Sequence, residues 1–295
     1  MNNRPLARLG RFTHNYAPVS LLPAMIFMIV LMVLPLILLF SYGFLEVDGN
    51  DVAGGFTFDT YAALFTNGYF WTLFSRTFFI AVSVTIFSLV LGYPIAWLFT
   101  RCRGWKRTTL LLIVATPLLT SALVRTFAWI VILGKQGVVN GGLLALGLVD
   151  APVSLLFNST AVVIGITQVM LPFMVIPLIS AIQDVPDDTQ DAARNLGSGF
   201  FRTFWTVMVP QTVPGIAAGI TLVFALSYSE FTVAVLLGGG SFNFASIYIY
   251  EAMTTLLDWG RGAAAASILL LSSLITITLL NIGTRRLTRW SRATQ

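Results

Sequence analysis

Six stretches of this chain, at 19–44, 73–100, 108–133, 159–182, 213–237 and 262–282, are almost unbroken runs of apolar residues. Each is long enough to cross about 30 Å of hydrocarbon as a helix rising about 1.5 Å per residue. Prolines 35, 94, 117, 172 and 177 fall inside these runs; lipid-embedded helices tolerate them where neighbours or local kinks satisfy the freed carbonyls. The expected fold is an all-α integral membrane protein of about six spans. Composition agrees, because only 10% of the residues are charged and 57% are hydrophobic, whereas a soluble domain carries roughly 25% charged residues. The first run follows Arg4, Arg8 and Arg11 as a signal peptide would, but it is too long and no small-residue cleavage site follows it, so it reads as a retained span.

Charge placement sets orientation. Arg4, Arg8, Arg11, Arg101, Arg103, Lys106, Arg107, Arg194, Arg202, Arg285, Arg286, Arg289 and Arg292 would share one side, which is 13 of the 17 basic residues. The opposite loops hold Lys135 and Arg261 and are otherwise acidic, with Glu46, Asp48, Asp51, Asp59, Asp150, Glu251 and Asp258. By the positive-inside rule both termini are cytoplasmic. The same clustering at span ends explains the pI of 9.7 without a nucleic-acid partner. The chain divides into a cytoplasmic segment at 1–18, a membrane domain at 19–284 and a basic cytoplasmic tail at 285–295. No repeat or low-complexity linker marks a second unit. In the outer loops, Thr57-Phe58-Asp59 opens a short capped helix at 61–65, three glycines at 238–240 mark a turn after the fifth span, and 247–257 suits another short helix.

The longest inner loop, 183–211, is the most informative segment. Pro186 with Asp187 and Asp188 makes a helix start, Ala192, Ala193 and Leu196 share one face, and Gly197 provides the stop. A second amphipathic piece, 200–209, leads into the fifth span. Asp191-Ala192-Ala193, then Gly197 after three residues, then Val207-Met208-Val209-Pro210 after nine more resemble the cytoplasmic loop of ABC importer permeases. That family has Glu-Ala-Ala, Gly, and an aliphatic, any residue, Leu and Pro at this spacing. The departures are Asp for Glu and Val for two aliphatics. The resemblance implies a type I ABC importer permease fold in a bacterial cytoplasmic membrane, with Asp191, Ala192, Ala193, Gly197 and Pro210 on the element that docks into a partner ATPase dimer.

Further segments are similar to the spermidine/putrescine-type permeases of that family. They are 123–129, 137–140 and 146–148 near the third span, Glu230-Phe231 and 236–239 around the fifth, and Asp258-Trp259 beyond it. Gly260 stands where that group often has Pro. The resemblance implies import of a small charged organic solute such as a polyamine. It also implies a second homologous permease subunit, or a second copy, and an extracytoplasmic solute-binding protein meeting the acidic outer loops with Trp71 and Trp259. Other members import other small solutes, so an amino acid, opine or aminophosphonate stays open.

Two charges lie well inside spans, Arg125 in the third and Glu230 in the fifth. A bare charge there costs at least ~2.5–3.5 kcal/mol. Each is 17 positions from the inner edge of its run, ~25 Å up a straight helix. Two readings fit. Either the two form a structural ion pair, with Arg125 also able to reach outer headgroups, or Glu230 lines the pathway and meets a cationic solute with Tyr228, Ser229 and Trp129. Arg125 suits the structural role better, since its charge would repel a polyamine. Gly215 and Gly219 form a face for close helix contact.

Energy must come from elsewhere. The chain has no phosphate-binding loop of the Gly-rich, Lys-Ser/Thr type, no zinc-protease pair and no nucleophile elbow, so no enzymatic activity is expected. ATP and Mg belong to the partner, with no cofactor in this chain. Cys102 and His14 are single of their kind, so no metal site is expected. An ion-coupled secondary transporter would show inverted repeats and several intramembrane acids; here only Glu230 qualifies.

Overall fold

The computed structural model describes the backbone of residues 6–48, 51–240 and 243–293, and side chains at 22–45, 55–186, 188–193, 195–240 and 243–284. The acidic groups at 46, 48 and 51, Arg194 and the basic residues of the N-terminal segment and C-terminal tail lie outside the described side chains.

The chain begins with α1 (Leu6–Tyr42), followed by an antiparallel hairpin of β1 (Leu45–Asp48) and β2 (Asp51–Phe56). The short α2 (Asp59–Thr66) starts where the Asp59 amide donates to Thr57 Oγ1 at 3.1 Å. Helix α3 (Gly68–Arg101) is capped by Asn67, whose side chain accepts from the amides of Tyr69 and Phe70. Next come α4 (Trp105–Leu119), α5 (Ala122–Leu133) and α6 (Val138–Ala145). Asn158 then opens α7 (Ser159–Gln183) by accepting from the Ala161 amide. Beyond it lie α8 (Asp187–Asn195), α9 (Phe200–Thr203), a π-helical turn (Phe204–Met208), α10 (Val209–Tyr228), α11 (Thr232–Gly238), α12 (Ala245–Thr254) and α13 (Trp259–Ala293).

Among the described residues, six helical stretches are long and apolar enough to cross a membrane: Leu22–Tyr42, Gly68–Arg101, Ala122–Ala145, Ser159–Gln183, Phe200–Tyr228 and Trp259–Thr284. Two expected spans are not single helices. The third, 108–133, divides into α4 and α5 at Thr120–Ser121, and its apolar stretch continues to Ala145. The fifth ends at Tyr228 rather than 237, and 232–238 forms the separate α11. The glycine turn therefore follows α11. Within α1, the Leu22–Tyr42 window buries no residue against the rest of the chain.

Helix α7 is the hub, packed on α3 and α10. Their interior holds Val84, Ala96, Ile166, Met174, Val175, Leu178 and Val223, all nearly inaccessible. Lipid tails are as apolar as these side chains, so close backbone approach rather than exclusion of water drives association. Gly215 and Gly219 provide it. A Cβ on Gly215 would lie 2.3 Å from Cβ of Ala181, and one on Gly219 would lie 2.5 Å from Sδ of Met174. This is the close-contact use expected of that pair.

Candidate functional site

At the end of the bundle carrying Arg101 to Arg107, α8 forms a short elbow. The turn before it places the Thr189 amide on the Pro186 carbonyl at 3.1 Å. The helix stops at Gly197, whose φ of +78° only glycine adopts without strain. There the Leu196 amide donates to the Ala192 carbonyl and the Ser198 amide to that of Ala193, closing the last turn. Asp191 and Ala192 are exposed, Leu196 is 88% exposed, and Ala193 is half-buried. Ala192 and Leu196 thus share an open face as expected, while Ala193 sits at its margin.

The opposite side of α8 is anchored through Gln190, which is buried. Its Oε1 accepts from the Arg101 guanidinium at 2.6 Å, and Arg101 also lies over the Trp97 ring at 5.6 Å. Trp97 meets Phe200 edge-on at 5.8 Å, and Tyr93 meets Phe204 at 5.2 Å. The Tyr93 hydroxyl is 3.0 Å from Thr212 Oγ1. A column of aromatic and hydrogen-bonded contacts therefore ties the elbow and the start of α10 to the last turns of α3. Sequence reasoning missed Gln190, Tyr93 and Thr212 because their partners lie about 90 to 120 residues away.

Between elbow and span the chain widens into the π turn, where the Val209 amide donates to the Phe204 carbonyl. Pro210 accounts for this. In a regular helix its ring would press on the carbonyl of Thr206, four residues back, and it has no amide to donate; a wider turn accommodates both faults.

Arg125 and Glu230 sit at the two helix breaks. The Arg125 guanidinium donates to the Pro117 carbonyl in the last turn of α4, so a cation caps the negative end of a helix. The Glu230 carboxylate accepts from the Val233 amide at 3.2 Å, in the first turn of α11, and its backbone carbonyl accepts from Ser246 Oγ at 3.1 Å. An anion thus caps a positive end. Helix α5 packs beside α11, and Glu230 lies within electrostatic range of Arg125. The structural ion pair is nonetheless not formed as direct contact, because each charge is committed to a helix end.

The other expected pathway residues do not converge on Glu230. Tyr228 is 2% exposed. Its ring stacks on Phe224 at 5.4 Å and its hydroxyl is 3.0 Å from Ser272 Oγ on α13, so it is a core residue. Ser229 is exposed, with its hydroxyl on the carbonyls of Ala225 and Leu226. Trp129 donates to Gln168 Oε1 at 3.3 Å and lines a cavity of about 850 Å³ between α3, α4, α5 and α7. Arg76, Thr167 and Gln168 are among the polar residues of that cavity's wall; Arg76 stood out in sequence as a basic residue at the start of the second run, whereas Thr167 and Gln168 did not stand out beyond being polar in an apolar run.

At the far end of the bundle, Trp71 and Trp259 are 41% and 48% exposed, and the loop acids Asp59, Asp150, Glu251 and Asp258 are exposed or half-exposed. Asp258 caps α13 through the Arg261 amide and pairs with its side chain at 3.2 Å.

Known proteins share this architecture. The profile of the family described as binding-protein-dependent transport system inner membrane component matches residues 61–289. The spermidine/putrescine transport system permease protein PotB of Escherichia coli K12 is 34% identical over 258 residues, covering 87% of this chain and 90% of PotB. The molybdenum transport system permease protein ModB of Mycobacterium bovis is 30% identical over 208 residues, covering 70% and 75%. In the crystal structure of a bacterial ABC transporter that imports the acidic polysaccharide alginate, one chain superposes with a TM-score of 0.72 at 20% identity, covering 95% of this chain and 99% of that one.

Proposed function

The chain belongs to the binding-protein-dependent inner membrane components, and from that premise we propose that it passes a small cationic organic solute, a polyamine such as spermidine or putrescine, across the cytoplasmic membrane. This is a multi-pass inner-membrane permease subunit of an ABC importer with the type I fold, not an enzyme, and the ATPase is a separate chain.

The observation that carries the solute assignment is the near full-length likeness to PotB, joined to a half-buried carboxylate, Glu230, at a helix break within the bundle. Family membership alone does not select the solute, since ModB, a molybdenum transport permease, is 30% identical and a chain of an importer of the acidic polysaccharide alginate has the same fold. In the proposed cycle the binding protein meets the end bearing Trp71, Trp259 and the acidic loops. The solute enters between this chain and a second permease subunit, whose contact face here includes the exposed Leu119, Val124 and Val131. Both termini and α8 face the cytoplasm. There Asp191, Ala192, Ala193 and Leu196 present the elbow to the ATPase dimer, whose closure on ATP and Mg moves α10 through the π turn.

Uptake into vesicles holding the assembled importer tests this, with the cognate binding protein supplied and polyamines, amino acids, opines and aminophosphonates as substrates. The proposal expects ATP-dependent uptake of a polyamine. Selective uptake of another class leaves the importer assignment standing and overturns the polyamine.

A further inference from the structure

A second cleft, of about 550 Å³, opens beside the elbow between α3 and the segment from α9 to the start of α10. Its wall is apolar and aromatic throughout, with Val90, Trp97, Phe200, Phe204, Trp205 and Ile216 among its residues. It runs along α3 from Leu89 to Trp97, and Arg101 follows one turn later. At about 1.5 Å per residue, Leu89 lies roughly 18 Å below Arg101, close to the depth of one leaflet of a bilayer with about 30 Å of hydrocarbon. The mouth is flanked by cations. Arg101 reaches Gln190 with one nitrogen and keeps further donors. Arg202 is exposed between Phe201 and Trp205, which are 77% and 65% exposed. Arg103, Lys106 and Arg107 follow on the same end of the bundle.

We propose that this cleft binds an anionic phospholipid of the inner leaflet, one acyl chain lying along α3 and the headgroup phosphate held by Arg101 and Arg202. Three properties favour a lipid over a soluble anion or another protein. The slot is one leaflet deep, its wall below the Trp97 level is apolar and aromatic, with the Tyr93 hydroxyl bonded to Thr212, and it ends in basic residues, the arrangement that attracts acidic headgroups. Trp97 and Trp205 fit the same boundary, where Trp is enriched. Phe200, Phe204 and Trp205 belong to the elbow and the π turn, so the lipid would rest against the segment that connects α8 to α10. Its occupancy would set how readily that segment shifts. This proposal does not depend on which solute is carried.

The test uses the purified importer complex in nanodiscs of phosphatidylcholine with or without phosphatidylglycerol. Native mass spectrometry would count retained lipid, and ATPase turnover would be measured in parallel. Wild type is expected to retain phosphatidylglycerol over phosphatidylcholine by at least threefold and to turn over faster with it. Val90→Trp, which fills the cleft from an exposed position, should abolish retention. Arg202→Gln should keep lipid but lose the preference for the anionic headgroup. Inorganic phosphate should not substitute. Equal retention of both lipids by wild type, retention unaffected by Val90→Trp, or crosslinks placing another subunit against Phe201 and Trp205 would each overturn the proposal. A Val90→Leu control keeps the test valid if the tryptophan variant fails to assemble: it should retain lipid as wild type does, and cleft-directed crosslinking of a photoreactive phosphatidylglycerol to Trp205 then decides the matter.

Discussion

Arg101 and Gln190, 89 residues apart, are joined by a 2.6 Å hydrogen bond from guanidinium to carboxamide, and through it the elbow is fastened to the end of α3. A hydrogen bond to a charged group is worth about 1.5–3 kcal/mol. Gln190→Leu is therefore expected to leave the complex assembled but lower coupled uptake more than basal ATPase activity. A parallel loss of both activities, with normal membrane abundance, would contradict this.

Arg125→Met should lower thermal stability without changing which solute is taken up. It leaves the Pro117 carbonyl unpaired in the bundle, at a cost of about 1–3 kcal/mol. A thermal-shift assay in detergent, set beside a substrate panel, separates the two effects.

For Glu230 the two conservative changes diverge. Glu230→Gln keeps an oxygen for the Val233 amide and removes the charge, so the protein should assemble normally while uptake of a cation falls roughly 10–100-fold, the equivalent of about 1.5–3 kcal/mol. Glu230→Ala should lose uptake and also about 1 kcal/mol of stability with the cap. Unchanged uptake by the Gln variant at equal abundance would confine Glu230 to capping.

Tyr228→Phe separates core from pathway. Loss of the bond to Ser272 should cost about 0.6–1 kcal/mol of stability and leave the KM for uptake unchanged. A raised KM would return Tyr228 to the pathway.

Gly219→Leu forces a side chain into the space held by Met174, and overpacking of this kind costs about 1–3 kcal/mol. Reduced yield of folded permease and a lower melting temperature are expected, whereas the same change at the open Gly283 should be tolerated.

Much of the architecture was legible because lipid imposes length and polarity on a span. The elbow was legible because its grammar is local: acids after Pro186, small residues at 192 and 193, and a glycine at 197. The breaks were not. Apolar residues resume at once beyond Thr120-Ser121 and beyond Ser229-Glu230, and so short a polar interruption does not end a run of span length where the backbone breaks. In hindsight the charges marked them, since an arginine or a glutamate within an apolar run can be satisfied by a helix end as well as by a partner. The 17-residue count placed Arg125 and Glu230 at like height, but height alone suggested a pair. The role of Tyr228 was hidden because Ser272 lies 44 residues further on.

The wide turn at Phe204–Met208 gives the connection between elbow and span something a regular helix lacks, a defect comparable to a dislocation in a crystal. Sliding such a fault along the chain needs only one bond to be exchanged at a time, and each residue it passes is turned by roughly 100° while the helices on either side keep their own register. A push on the elbow can then re-aim the side chains along the fault, with neither helix having to melt.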